Sequence, residues 1–330
     1  MVNILLFNGL RSFVIKIALV TSALALVSCA ETGVGPAAGG TMRRELLQPW
    51  IELSGAKPGT LLGQPNAALQ GATGFITLNR PTAVSARGND VYLIDSGLHR
   101  IFRYSRAEQT LTPFTNLVPQ AGMSLYVAPD MSLYVTDPAR SQVLHYTWDG
   151  NALPPLSSTA NMGRPVSISV DESSGQLLLA DAMYNQIIAF NSLGRPLGII
   201  KPQHVRAIAA MAQGPDGIYV VDPLSRQVVV LGPDGSYRYA IGAGTLAEPA
   251  TIAVERDNLV FVGDNFDQTV KVYRDGQLVS TVGGVGTAPG RFNNIAGLAV
   301  DGGLLYVADS MNARVQIMLI NPQALNMKGK

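Results

Sequence analysis

The stretch Leu305-Tyr306-Val307-Ala308-Asp309-Ser310-Met311-Asn312-Ala313-Arg314-Val315 decides the fold. Four residues of strand composition run into an acid, a short turn follows, and Arg-Val opens the next apolar run. The same design occurs five more times, as VYLIDSGLHRI (91–101), LYVTDPARSQV (133–143), LLLADAMYNQI (177–187), IYVVDPLSRQV (218–228) and VFVGDNFDQTV (260–270). The acids are Asp95, Asp137, Asp181, Asp222, Asp264 and Asp309, with spacings of 42, 44, 41, 42 and 45. Five positions after each stands Arg100, Gln142, Gln186, Gln227, Thr269 or Arg314, always followed by Ile or Val. A match in register over this length is an internal repeat.

Upstream of each acid lies a second apolar stretch rich in small residues: 81–84, 123–127, 165–168, 207–209, 250–254 and 296–300. A third strand follows each turn, as in Ile101-Phe102-Arg103-Tyr104, and a weaker fourth follows that, as in Tyr237-Arg238-Tyr239-Ala240-Ile241. Four short antiparallel strands in ~40–45 residues make a propeller blade. Inner strands converge on one axis, where Ala, Ser and Gly avoid collision. The expected fold is all-β: a six-bladed propeller of four-stranded blades over residues 50–320. The chain after Leu319 has no room for a full outer strand, and residues 50–53 (Trp-Ile-Glu-Leu) have the composition to supply it. That pairing would cover an edge otherwise open to aggregation.

The last unit, Ile295-Ala296-Gly297-Leu298-Ala299-Val300 through Asp309 to Val315, resembles the NHL repeat, as does the Gly-rich linker 283–293 before it. The resemblance covers about residues 50–320. Pro138 and Pro223 in the turns, and Gln in place of Arg at three units, depart from the family pattern.

The N-terminus reads differently. Arg11 and Lys16 precede the uncharged run Ile17 to Val27, which suits the apolar region of an export signal and is short of the ~20 residues of a bilayer-spanning helix. Leu26-Val27-Ser28-Cys29-Ala30 resembles the bacterial lipobox, which implies cleavage before Cys29 and lipidation of its thiol. The expected organisation is a lipoprotein signal peptide at 1–28, a flexible tether at 29–49, the propeller at 50–320 and a polar tail at 321–330. Several acyl chains anchor stably where one does not. Ala30, in place of a retention-type Asp, points to the outer membrane in a Gram-negative cell.

Charge and composition exclude other classes. The 24 basic and 23 acidic residues give +1, and without the signal's two cations 22 stand against 23. A near-neutral chain with no basic block gives no support to nucleic-acid binding, which rests on phosphate neutralisation. The single Cys excludes an intrachain disulfide framework and a thiolate zinc cluster. His99, His145 and His204 fall at different points of the repeat with no metal-ligand spacing.

The six Asp are read as turn acids, accepting turn N–H groups and pairing with Arg100 or Arg314. A device repeated in every blade is structural, whereas a site breaks symmetry. The asymmetry lies in the loops entering the inner strands, where Arg80, Arg164, Arg206, Glu248 and Asn294 stand. These loops share a face with the Asp turns, and His99, Tyr184, Arg226, Asp267 and Asn312 join them there. Arg offers a planar fork of donors suited to carboxylates. The first functional expectation is therefore a binding scaffold for a protein, peptide or envelope polymer, without catalytic residues, cofactor or resident metal. The alternative, implied by resemblance to six-bladed propeller enzymes, is a metal-dependent enzyme, lactonase- or lyase-like, with a Ca or Zn ion in the central channel. Glu248, Asn294 and Asp267 are its candidate oxygen ligands for Ca²⁺.

Overall fold

The computed structural model describes residues 45–59, 74–156 and 161–325, all within the unit Arg43–Lys330. Six sheets, each with an antiparallel four-stranded core, follow one another in chain order as blades 1 to 6 of a propeller. Their innermost strands are Pro81–Arg87, Leu125–Val127, Pro165–Asp171, Ala210–Gly214, Pro249–Val254 and Ile295–Asp301. Each packs beside the innermost strands of the neighbouring blades, and that of blade 6 returns to blade 1. The second strands are Asp90–Asp95, Leu133–Asp137, Gln176–Asp181, Gly217–Asp222, Leu259–Asp264 and Leu304–Asp309. Each ends on its repeated acid.

The apolar runs before the acids are continuous because both faces of these strands are buried. Successive side chains on a strand point to opposite faces. In blade 1, Val91 and Leu93 pack toward blade 6, while Tyr92 and Ile94 pack toward blade 2. In blade 4, Ile218 and Val220 face blade 3, while Tyr219 and Val221 face blade 5. The interior is thus six apolar layers, each shared by two blades.

Both ends of the chain build blade 6. Leu47–Leu53 runs antiparallel to Arg314–Ile320, from Leu47 opposite Ile320 to Leu53 opposite Val315. The strand starts three residues earlier than expected, inside the stretch read as tether. Leu46 and Leu47 are buried between blades 5 and 6, so apolar burial extends the strand. The Asn321 N–H donates to Leu46 O, and the neighbouring Ile320 N–H donates to Gly303 O in a hairpin joining innermost to second strand. The chain therefore enters the ring on the hairpin face, opposite the Asp turns.

Three local expectations are corrected. Blade 1 has six strands, because Gly55–Pro58 pairs in parallel with the outer strand Thr110–Pro113 and antiparallel with Ile76–Thr77. Gly55 permits that approach, since a Cβ there would lie 2.6 Å from Ile76 O. In blade 4 the innermost strand is Ala210–Gly214 rather than 207–209. Ile208 turns into the core between blades 3 and 4, and pairing begins as the Ala209 N–H donates to Val221 O. In blade 2 the innermost strand is only Leu125–Val127 and the outermost only Ala152–Leu153.

Candidate functional site

The face carrying the Asp turns is built by one repeated device. All six acids have no exposed surface. Asp95 accepts the Asn79, Arg80, Gly97 and Leu98 N–H groups at 2.8–3.0 Å. It thereby joins the loop entering blade 1 to the turn leaving its second strand. Asp181 does the same with Gly163, Arg164 and Met183, and Asp264 with Ala247, Glu248 and Phe266. Asp222 takes Arg206, Leu224 and Ser225. A buried carboxylate is costly unless its lone pairs are filled, and these are filled by backbone donors. Arg314 pairs with Asp309 at 2.8 Å, whereas Arg100 donates to His99 O and leaves Asp95 to the N–H groups. The fourth residue after each acid is left-handed although none is Gly: His99, Ser141, Asn185, Arg226, Gln268 and Ala313, with φ between 46° and 56°.

Asp264 adds charge pairing. Burial alone would raise its pKa, but hydrogen bonds from Lys271 and from the Ala247, Glu248 and Phe266 N–H groups outweigh that and lower it. Burial opposes the Lys271 cation, and its bonds to Asp264 and Asp267 again prevail, raising its pKa. Asp267 is thus held by Lys271 at 3.0 Å and Thr269 at 2.6 Å.

The entering loops carry the residues singled out by their asymmetry. Arg80, Arg164 and Arg206 are exposed, and among the described residues none of their guanidinium groups has an ion pair. Their backbones are fixed by Asp95, Asp181 and Asp222. The three are not strictly equivalent. Arg206 gives its N–H to Asp222 Oδ2, the oxygen that takes Asn79, Gly163 and Ala247 in blades 1, 3 and 5, so it sits one position earlier. Glu248 is exposed on the same face. Asn294 is half-buried and left-handed, and its N–H donates to Gln268 in the blade 5 turn. Among the described residues no three His, Cys, Asp or Glu are grouped as a metal set. Tyr134 stacks on His145, with ring centroids 4.2 Å apart. Cys29 and the export segment lie outside the described residues.

Two features escaped the sequence reading. The second residue after the acid is Gly97 and Ala139 in blades 1 and 2, then Met183, Leu224, Phe266 and Met311. Those four are 62, 63, 75 and 54 % exposed. Aligning the six units on the acid displays this column, but only burial shows that it does not face the core. On the opposite face, Arg87 of blade 1 and Arg256 of blade 5 both reach Glu172 of blade 3, at 3.0 and 2.8 Å. These residues stand 85 and 84 positions apart, about two repeats, which is the signal that would have found them. Glu172 has a lowered pKa, chiefly through the Arg87 hydrogen bond.

The fold and turns define an all-β propeller of six blades, closed by its N-terminal strand. Residues 292–318, most of blade 6, match the family model of the NHL repeat. No curated protein matches the chain. Among solved structures it is similar to a protein of unknown function from Bacteroides thetaiotaomicron, with 19 % identity over 82 % of this chain and 75 % of that one, at a TM-score of 0.64. It is also similar to a streptogramin B lyase, with 12 % identity over 74 % of this chain and 94 % of that one, at 0.55. A virginiamycin B lyase from Staphylococcus aureus gives 11 % identity over 74 % and 96 %, also at 0.55. At these identities the likeness is one of fold.

Proposed function

We propose that the protein is a lipid-anchored, extracytoplasmic propeller that binds a protein, peptide or envelope polymer on its Asp-turn face. The observation that carries this reading is the set of exposed guanidinium groups of Arg80, Arg164 and Arg206, without an ion pair among the described residues, on loops whose backbones are fixed. Fixed loops reduce the ordering cost of binding, and free guanidinium groups select carboxylates. Cys29 carries the lipid, and the outer membrane of a Gram-negative cell is its place.

The test crosslinks the full chain in intact envelopes and compares it with an Arg164→Ala/Arg206→Ala variant of unchanged melting temperature. Loss of a specific adduct, mimicked by raised salt, supports the reading. Retention of every adduct overturns it. The shared fold with streptogramin-type lyases motivates the alternative, a metal-dependent enzyme. One tight divalent ion per purified chain would favour that alternative.

A further inference from the structure

Single exposed apolar residues on a surface are ordinary. Met183, Leu224, Phe266 and Met311 are different because one structural position presents them in four consecutive blades. No folding requirement explains them, since blades 1 and 2 close the same turn with Gly97 and Ala139. Each of the three in blades 3 to 5 gives its N–H to the buried acid of its own turn, at 3.0–3.1 Å. In blade 6, the Met311 N–H donates to Asn293 O at 3.0 Å. The tips therefore stand on a fixed backbone. Val285 extends the arc: it is 73 % exposed, and the next residue, Gly286, accepts a hydrogen bond from Asn312 in the blade 6 turn.

The same face carries Arg80, Arg164, Arg206 and Arg226, all exposed and without an ion pair among the described residues. Its acids are fewer in reach: Asp267 is engaged by Lys271, leaving Glu248. Apolar tips beside unpaired arginines complement a partner with apolar side chains and carboxylates together. A second copy of this chain does not meet that description, because face-to-face docking would oppose arginines to arginines. A bilayer is the other surface that is acidic and apolar together, and vesicle binding is therefore one outcome of the test below.

We infer that the arc Met183–Leu224–Phe266–Met311, flanked by these arginines, docks an extended protein segment in which acidic and apolar residues are interspersed. This deepens the proposed function by naming the partner's chemistry and rests on that reading. Buried apolar anchors supply the affinity, and the arginines supply steering and orientation.

The probe is a displayed library of random peptides, panned on purified Cys29→Ser protein. Enriched peptides are expected to carry Asp or Glu among Leu, Phe or Trp. A Met183→Ser/Leu224→Ser/Phe266→Ser variant should melt as the parent does and weaken these peptides about a hundredfold. Arg164→Ala/Arg206→Ala should weaken them about tenfold and flatten the salt dependence. Peptides that need the arginines but not the apolar tips would overturn the inference and leave the scaffold reading standing. Peptides indifferent to both variants, or no enrichment, would overturn the inference and count against that face altogether. Two further results overturn it in favour of another occupant. One is tip-dependent binding to phosphatidylglycerol vesicles, and the other is tip-dependent self-association in light scattering.

Discussion

Blades 6 and 2 are the two extremes of one design. Blade 6 joins the two ends of the chain and has the fullest version of the repeat. Its acid, Asp309, receives Asn293 N–H, Asn312 Nδ2, Arg314 Nε and Gln316 Nε2, and Arg314 reaches on to Glu52 of the N-terminal strand. Blade 2 is cut from continuous chain, and its innermost and outermost strands are the short ones noted above. Asp137 receives the Arg140 N–H and side chain and Gln142, all from its own turn or third strand. The link to the entering loop is made instead by Thr136, whose Oγ1 accepts the Ser124 N–H at 2.9 Å. Ala139 is the counterpart of Gly97 and Met183, which donate to their own acids, and the N–H that Asp137 takes from its turn is that of the next residue, Arg140. The lesson is that polar density follows mechanical need. Blade 6, closed by non-covalent pairing of chain ends, is pinned by a charge network that reaches its closing strand, whereas blade 2, held by covalent continuity, has only the Asp137–Arg140 pair among the described residues.

The largest effect should come from removing the closing strand. Deleting residues 1–53 strips Leu47 and Leu53 from the core and leaves Arg314 without Glu52. At ~1.5–3 kcal/mol per buried large side chain, plus lost strand pairing, the cost should be at least about 4 kcal/mol. Replacing both residues of blade 2's outer strand, Ala152→Gly/Leu153→Gly, should cost only about 1 kcal/mol. Urea unfolding of both variants tests the contrast, and equal losses would remove it.

The acids give the next contrast. Asp309→Ala removes the buried partner of Arg314, itself 4 % exposed, leaving it only the half-exposed Glu52 as counter-ion, and strips the Asn293, Asn312 and Gln316 donors of their acceptor. Breaking such a pair costs about 3–5 kcal/mol. Asp137→Ala removes a partner of Arg140, whose side chain is 58 % exposed and returns to water. Its cost should be about 1–2 kcal/mol, that of a lost turn cap. Comparable midpoint shifts for the two would show that these two acids carry equal weight and would remove the contrast.

Blade 5 lies between these extremes and makes the pairing pH-dependent. Asp264 is depressed in the folded state, so its contribution is complete above the unfolded carboxylate value of about 4 and is lost as pH falls through the folded value. Lys271 is raised, so its contribution is complete below the unfolded lysine value of about 10.4 and is lost as pH climbs through the folded one. Urea midpoints should fall at both ends, and Lys271→Met should flatten the alkaline limb. An unchanged alkaline limb would mean that the pair adds nothing to stability.

What the sequence disclosed was whatever repeats. The six apolar runs and their acids were legible because one burial environment recurs six times, and the closing strand because one blade lacked its fourth run. Single events were not. Gly55–Pro58 forms a strand through a close approach that only Gly allows, and its composition reads as a linker. The shift at Ala210 reflects Ile208 entering the core, a choice between two adjacent apolar residues that no period distinguishes. The arc of tips was hidden because Met, Leu and Phe in a sequence are read as core. The Arg87–Glu172–Arg256 contact was hidden because it skips alternate blades.

The smallest expected effect concerns the left-handed residue of each turn. Ala313 in blade 6 has φ 54° and Ser141 in blade 2 has φ 50°. An L side chain in that region costs roughly 1–2 kcal/mol through its Cβ, and Gly removes the cost while adding freedom to the unfolded chain. Ala313→Gly should therefore stabilise by about 0.5–1 kcal/mol, because the methyl group makes no hydrogen bond to lose. Ser141 faces the same strain, but its Oγ donates to Gly163 O at 2.6 Å and latches the blade 2 turn to the loop entering blade 3. Losing that bond costs about 1 kcal/mol, so Ser141→Gly should be neutral or slightly destabilising. Ser141→Ala keeps the strain and loses the latch, and should be the least stable of the three. If both Gly variants stabilise equally in urea melts, the Ser141 latch is energetically idle, and blade 2 is held to blade 3 by the apolar layer between them.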